Sequence, residues 1–261
     1  MSSLKRMLAV FDVFTPQEPS LTADEIMMRL NYSRGTAYRY IRELAAAGFL
    51  KRIGGAYSLG PRIVELDYFI RENDPNLNII QQVLRALSER LECDTLWTSF
   101  LGDHVVVNHH ERGTAAHLVS YSRGRRMPLF RGAPSKVIVS ALPHAQLKRL
   151  YEANVTEAEA AGLGGSWKEF RARMTAIRRA GYYISRSELD RGSIGIAAPI
   201  ILDTPQQPGS IGTVFGEKRF ATSDENLLVR ITIDAAKQVS GLIANGTDAS
   251  GDVPWLKGAM G

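Results

Sequence analysis

Apolar residues recur along this chain with two different periods, and the places where one period gives way to the other mark out its elements. From Ser3 to Phe14 the spacing of Leu4, Met7, Leu8, Phe11 and Phe14 predicts a helix, which Pro16 and Pro19 end. Ile26 and Leu30 repeat at helical spacing behind Thr22, whose hydroxyl is followed three residues later by Glu25, a capping-box arrangement. Asn31 breaks that run. Ser33 is a second N-cap, and the helix it opens extends to Ala47, with Ala37, Tyr40, Ile41 and Leu44 on one face and Gly48 as its stop. Lys51 to Leu59 then reads as a hairpin around Gly54-Gly55, with Ile53, Tyr57 and Leu59 available for packing. Two short helices followed by a hairpin are the outline of a winged helix-turn-helix.

Gly60-Pro61 opens a further helix, Arg62 to about Arg71, with Ile63, Leu66 and Ile70 as its apolar face and Asn73-Asp74-Pro75 as its end. A long amphipathic helix from Asn76 to Glu92 carries Leu77, Ile80, Leu84, Leu87 and Leu91, and at Asp94 the period becomes strand-like. Thr95–Phe100 and His104–Asn108 read as strands joined at Gly102-Asp103, with a third around Leu118–Tyr121. Pro128 to Pro134 is a loop feeding a helix from Ser135 to Ala141. Helices over Ala145–Tyr151 and Trp167–Arg179 follow, the last ended by Gly181. Tyr182–Ser185, Ser193–Leu202 and Ser210–Phe215 return to strand, with Pro205–Gly209 as a loop, and Asp224–Ala244 is a closing helix. Hairpins mixed with helices in this order predict an α+β fold, an antiparallel sheet of about six strands with helices packed on it. The expected division is a winged helix-turn-helix over 1–60, a linker helix over 61–75, a second domain over 76–245 and a disordered tail over 246–261.

The polar face of the second short helix carries the chemistry. Gly35, Tyr38, Arg39 and Arg42 fall at i, i+3, i+4 and i+7, with Arg34 and Thr36 beside them at the N-terminal end. Such a stripe suits the major groove of double-stranded DNA, where arginine bonds the acceptor edge of guanine and a helix N-terminus favours a phosphate. Charge at helical spacing is ordinarily a solvated face. Here, however, the stretch from Arg29 to Arg62 holds seven basic residues against one acid, Glu43, a local excess of +6. Lys51 and Arg52 in the wing are placed for backbone phosphates. The DNA contacts expected are Ser33, Arg34, Gly35, Thr36, Tyr38, Arg39, Arg42, Lys51 and Arg52.

Composition changes this picture little. A chain of 261 residues with 44% apolar and 23% charged content is long enough for two domains with cores of their own. No apolar run spans a bilayer and the N-terminus does not read as a signal peptide, so a cytoplasmic protein without a membrane partner is expected. A single cysteine, Cys93, excludes an internal disulfide and a cysteine-based zinc cluster. The net charge of +5 fits an anionic partner. There is no Gly-x-Ser-x-Gly, His-Glu-x-x-His, phosphate loop or Gly-x-Gly-x-x-Gly, so neither an enzyme nor a cofactor is expected. His109, His110 and His117 are candidate metal ligands, but His109 and His110 are adjacent on a predicted strand and so point to opposite faces, which argues against a metal site. Arg112, Arg123, Arg125, Arg126 and Arg131 lie in a twenty-residue stretch with no acid, a solvated face that could also neutralise a carboxylate.

Laid out this way, residues 3–245 resemble the IclR family of bacterial transcriptional regulators. The resemblance is carried by Ser3 to Val10, Ser33 to Leu44, Tyr57-Ser58-Leu59-Gly60-Pro61-Arg62, Pro128-Leu129 with Ser135-Lys136, and Ala180-Gly181-Tyr182 followed by Gly195 to Ile200. It implies a GAF-like C-terminal domain that binds a small effector, usually an organic or aromatic acid, in a dimer or a dimer of dimers. Matched residue by residue, the family's pocket falls at Ala133, Pro134, Ser185, Gly195, Thr213 and Phe215. Two departures stand out. Gly35 replaces the family's usual serine, and Arg131-Gly132-Ala133-Pro134-Ser135-Lys136 replaces its Thr-Ala-x-Gly-Lys run.

From the residues themselves, Leu129, Phe130, Ala133 and Pro134 offer apolar walls, Phe215 and Trp97 close the pocket from the sheet, and Arg131 orients an acid group beside the helix N-terminus. A homodimer is expected because one winged helix reads too few base pairs, with Ser3–Phe14 and Arg62–Ile70 as its coupling surface. The alternative, from another class, is a GAF-like ligand sensor acting mainly through protein–protein interaction.

Overall fold

The computed structural model describes residues 2–113, 120–200 and 208–245, and the chain divides into two compact units, Met1–Asp74 and Pro75–Gly261. The first runs α1 (Ser3–Leu8), a 3₁₀ turn (Ala9–Val13), β1 (Ser20–Thr22), α2 (Ala23–Leu30), α3 (Arg34–Ala46), β2 (Leu50–Ile53), β3 (Ala56–Leu59) and α4 (Pro61–Asn73). Local chemistry explains its boundaries. Thr22 accepts the Glu25 amide N–H, and the Glu25 carboxylate accepts the Thr22 N–H at 2.7 Å, which holds its carboxyl below the usual range. Asn31 closes α2 in the left-handed region at φ 51°. At the end of α3 the Phe49 N–H reaches the Leu44 carbonyl at 2.9 Å and the Gly48 N–H reaches Ala45 at 3.0 Å, a Schellman closure. The wing turns on Gly54 and Gly55, both at positive φ, so Ile53 pairs Ala56 across a two-residue turn.

Two features of this unit depart from the expectation. The first helix is split, and Leu4 and Leu8 are 70% and 56% exposed while Val10 and Val13 are buried. The 3₁₀ turn explains this, because residues three apart eclipse there and Val10 and Val13 stack inward together. β1 joins the wing as a third strand, in the order β1-β3-β2; three residues behind Pro19 are too few to show an alternation. The apolar face of α4 stays uncovered within the unit: the helix has no buried residue and Ile70 is 51% exposed.

The second unit runs α5 (Pro75–Leu91), β4 (Asp94–Phe100), β5 (Val105–Glu111), β6 (Arg126–Met127), α6 (Ala133–Ala141), α7 (His144–Ala153), α8 (Val155–Ala160), α9 (Trp167–Ala180), β7 (Tyr183–Arg186), β8 (Ser193–Ile200), β9 (Gly209–Gly216), α10 (Glu217–Ala221) and α11 (Glu225–Asn245). Its strands form one antiparallel sheet of six, in the order β6-β5-β4-β9-β8-β7, so the fold is the α+β arrangement expected. Helices cover both faces. On one, Leu77, Ile80, Leu84 and Leu87 of α5 and Val239 of α11 pack on Ile211 and Phe215. On the other, Ile138 of α6 and Phe170 and Met174 of α9 pack on Leu96 and Phe100. α6 begins two residues earlier than expected, with Pro134 in its first turn, where a missing N–H costs nothing. The short α8 and α10 were not expected. Much of the expected Leu118–Tyr121 strand, His117, Leu202, the start of the Pro205 loop and the tail over 246–261 lie outside the described residues.

Candidate nucleic-acid interface and ligand pocket

The polar stripe of α3 stands opposite its buried face: Ala37, Tyr40, Ile41 and Leu44 are buried, while Arg34, Gly35, Tyr38, Arg39 and Arg42 are exposed. Ser33 occupies the N-cap position but caps no backbone group; its hydroxyl donates to Thr36 Oγ1 at 3.0 Å. No side chain therefore caps the first amides of α3. The Arg34 guanidinium lies 5.4 Å from the Tyr38 ring centroid, which stiffens both side chains.

An open cleft of about 1020 Å³ runs along this stripe, bounded by Gly35, Tyr38, Arg39 and Arg42 of α3, by the start of α2, and by Arg52 and Tyr57 of the wing. Lys51 does not border it. Cross-strand pairing explains the split, since Arg52 pairs Tyr57 and shares its face of the hairpin, whereas Lys51 pairs Ser58 on the other face. The basic excess is not all available. Arg29 grips both oxygens of Glu18, Arg42 meets Glu43 at 3.0 Å, and Arg62 is bonded to Glu65. Arg34, Arg39, Lys51 and Arg52 have no carboxylate partner among the described residues.

Ala133, Pro134, Ser185 and Gly195 come together in the second unit, around a cavity of about 30 Å³ on the α6 side of the sheet. Its other walls are Leu96, Tyr121, Met127, Leu189, Asp190, Ser193 and Val214. Six expected residues fall elsewhere. Trp97, Thr213 and Phe215 lie on the opposite face: Trp97 and Phe215 belong to the core under α5 and α11, and Thr213 bonds Thr232 of α11 at 3.2 Å. The cause is strand alternation, which gives Leu96 and Val214 to the cavity and turns their neighbours away. Leu129 and Phe130 are spent on the core, the Phe130 ring edge-on to Phe170 at 5.5 Å. Arg131 is exposed and donates to the Glu188 carbonyl. Alternation from Gly195 was enough to find Ser193. Nothing in the sequence signalled Leu189 and Asp190, which reach the cavity from the turn between β7 and β8.

The expected opposition of His109 and His110 is visible in their partners. His109 contacts Gln81 of α5 at 3.3 Å, and burial lowers its pKa, whereas His110 lies toward Asp94 at 3.8 Å. The Cys93 thiol is free and buried, and burial raises its pKa. Among the described residues no group of three His, Cys, Asp or Glu side chains is arranged to hold a metal, and no helix is long and apolar enough to cross a membrane.

Residues 76–241 match the family profile described as bacterial transcriptional regulator IclR C-terminal, and residues 3–54 match the IclR helix-turn-helix domain. The chain belongs to the IclR family. It is 26% identical to the HTH-type transcriptional regulator KipR of Bacillus subtilis, over 90% of this chain and 94% of that one. It is 24% identical to KdgR of Dickeya chrysanthemi, over 91% and 79%. Among solved structures, an IclR regulator from Silicibacter sp. superposes with a TM-score of 0.81 at 19% identity, over 93% of this chain and 96% of that one. An IclR homologue from Microbacterium hydrocarbonoxydans complexed with 4-hydroxybenzoate gives 0.66 at 20%, over 94% and 100%.

Within the IclR frame, Gly35 is not demanded by packing: a Cβ there would meet nothing within 4 Å. Gly60 is the reverse. Its N–H bonds the Phe49 carbonyl at 2.7 Å, and a Cβ would fall 2.1 Å from the Gly48 oxygen. One glycine leaves room at the surface, and the other lets the wing leave across the end of α3.

Proposed function

We propose that this IclR-family regulator reads an operator through α3, with Tyr38, Arg39 and Arg42 on base edges, Arg34 and the uncapped first turn of α3 on a phosphate, and Arg52 and Lys51 on the backbone. The observation that carries this is the exposed cationic stripe of α3, which shares one cleft with Arg52 of the wing. Two copies act together. α4 exposes Val64, Tyr68, Phe69 and Ile70, and α1 exposes Leu4 and Leu8, apolar surface that a second copy would cover. Half-sites then lie about one helical turn, or a multiple, apart.

Occupancy of the operator is set by a small organic acid bound beside Ala133, Pro134, Ser185 and Gly195. The family's C-terminal domain and the homologue carrying 4-hydroxybenzoate support that reading. Selection of bound sequences from random duplex DNA, repeated with a panel of small carboxylates, tests both parts. A paired motif should emerge and an acid should change its retention. Recovery of no common sequence would sink the operator reading, and retention indifferent to every acid would sink the effector reading.

A further inference from the structure

The cavity is small. At about 30 Å³ it has room for one or two waters, whereas small-molecule pockets run to roughly 300 Å³ or more. Admission of a ligand requires a wall to move, and the walls are not equally held. Leu96, Ser185, Ser193, Gly195 and Val214 sit in the hydrogen-bonded sheet. Leu189 and Asp190 belong to the turn over residues 187–192, whose ends are held by the Ser187 N–H on the Ser193 carbonyl and the Glu217 N–H on the Gly192 carbonyl, and whose middle is pinned by side chains.

The chief pin is Glu188. One carboxylate oxygen accepts the Gly132 N–H at 2.8 Å; the other accepts the Lys136 ammonium at 2.8 Å and the Tyr183 hydroxyl at 3.1 Å. Lys136 is 3% exposed, donates also to the Tyr183 hydroxyl and lies 4.6 Å from that ring's centroid. A buried ammonium needs an anion, and here the loop supplies it. This cluster is the layer next to the cavity, since Lys136 follows Ala133 by one helical turn on the same face of α6 and Tyr183 shares a face of β7 with Ser185. Among the described residues of the cavity wall one is charged, Asp190, whose carboxylate accepts the Ser120 N–H at 3.1 Å. An acid ligand would meet no cation among the described lining residues.

We propose that the carboxylate of an acid ligand binds by replacing Glu188 as the partner of the Lys136 ammonium, the Tyr183 hydroxyl and the Gly132 N–H, so that binding releases the turn over residues 187–192. Glu188 is thus an internal stand-in for the ligand's acid group, and the exchange conserves the ion pair of a buried lysine. This rests on the acid-effector reading above and adds where the acid end is held and what it displaces.

The test uses the full chain, calorimetry with benzoate, 4-hydroxybenzoate and their neutral amides, and the rate of tryptic cleavage after Arg191, the exposed basic residue of that turn. The acids should bind at least tenfold more tightly than the amides and should speed cleavage after Arg191. Glu188→Gln should tighten acid binding several-fold, leave the amides unchanged and cleave quickly without ligand. Lys136→Met should abolish the preference for acid over amide. If acids bind but protect Arg191, or Glu188→Gln weakens acid and amide alike, the exchange is wrong and the acid-effector reading survives. If no carboxylate from a wide aliphatic and aromatic panel binds, both fall. The cleavage comparison in unaltered protein decides the exchange even if a variant fails to fold.

Discussion

The recognition face and the ligand cavity are built in opposite ways. Arg34, Tyr38, Arg39 and Arg42 come from one helix, point outward, and need only a scaffold that holds α3 still. The cavity draws on β4, β6, β7, β8, β9, the start of α6 and two connecting segments, and its size is set by how closely they approach. On the first surface a side chain can be exchanged without disturbing its neighbours, so affinity and stability should separate. In the second they should move together, because every wall residue is also packing.

The largest effect should come from the scaffold beneath the recognition face. Gly60→Ala places a methyl carbon 2.1 Å from the Gly48 oxygen, a backbone atom that cannot swing aside. Thermal unfolding of the Met1–Asp74 unit should show a loss of about 3 kcal/mol or more, with DNA binding lost alongside. An unchanged transition would mean that the wing and α3 do not meet as described. Arg39→Ala and Arg42→Ala should each weaken specific operator binding by about 1–3 kcal/mol, with the unfolding temperature unmoved. A matching drop in stability would erase the contrast with the cavity. Wild-type affinity for every sequence after Arg39→Ala would remove α3 as the reading helix.

The cavity side is sharpened by a pair of neighbours on β9. Thr213→Val removes a buried hydroxyl that bonds Thr232, and Thr232 keeps its own bond to the Leu228 carbonyl at 2.9 Å. About 1 kcal/mol of stability should go, without change in ligand affinity. Val214→Ala strips two methyl groups from the cavity wall and should lower both quantities by about 1 kcal/mol. Calorimetry that found ligand binding sensitive to Thr213 and indifferent to Val214 would reverse the assigned faces of β9.

The same contrast governs how much could be read in advance. Thr22 with Glu25, the stop at Asn31 and the turn at Gly54-Gly55 are short-range chemistry, legible because each partner lies within a few residues. The stripe on α3 needed only the helical period. The cavity needed the phase of five strands and the path of the turn between β7 and β8. A one-residue error in phase moved Trp97, Thr213 and Phe215 to the wrong face while leaving the strands themselves correctly placed. Arg131 was a natural choice for an acid group from its position before α6, but the buried cation is Lys136, whose partner Glu188 is 52 residues away in sequence. No local pattern reports a contact at that separation.

The smallest expected effect lies within the wing and tests whether alternation governs the exposed surface as it governs the buried one. Lys51 and Arg52 are adjacent, equally basic and both exposed, so composition treats them alike. Register does not: Arg52 shares its face with Tyr57 and borders the cleft of α3, and Lys51 shares its face with Ser58. DNA lying along that cleft has phosphates within reach of Arg52, and each phosphate neutralised lowers the slope of log affinity against log salt by about 0.9. Arg52→Ala should therefore flatten the slope by about one, uniformly across sequences, because phosphates carry no base identity. Lys51→Ala should flatten it by a smaller amount, since its ammonium reaches the backbone only around the edge of the hairpin. Titrations of operator and random duplex at several salt concentrations separate the two, and a larger change for Lys51 than for Arg52 would place the DNA on the other face of the wing.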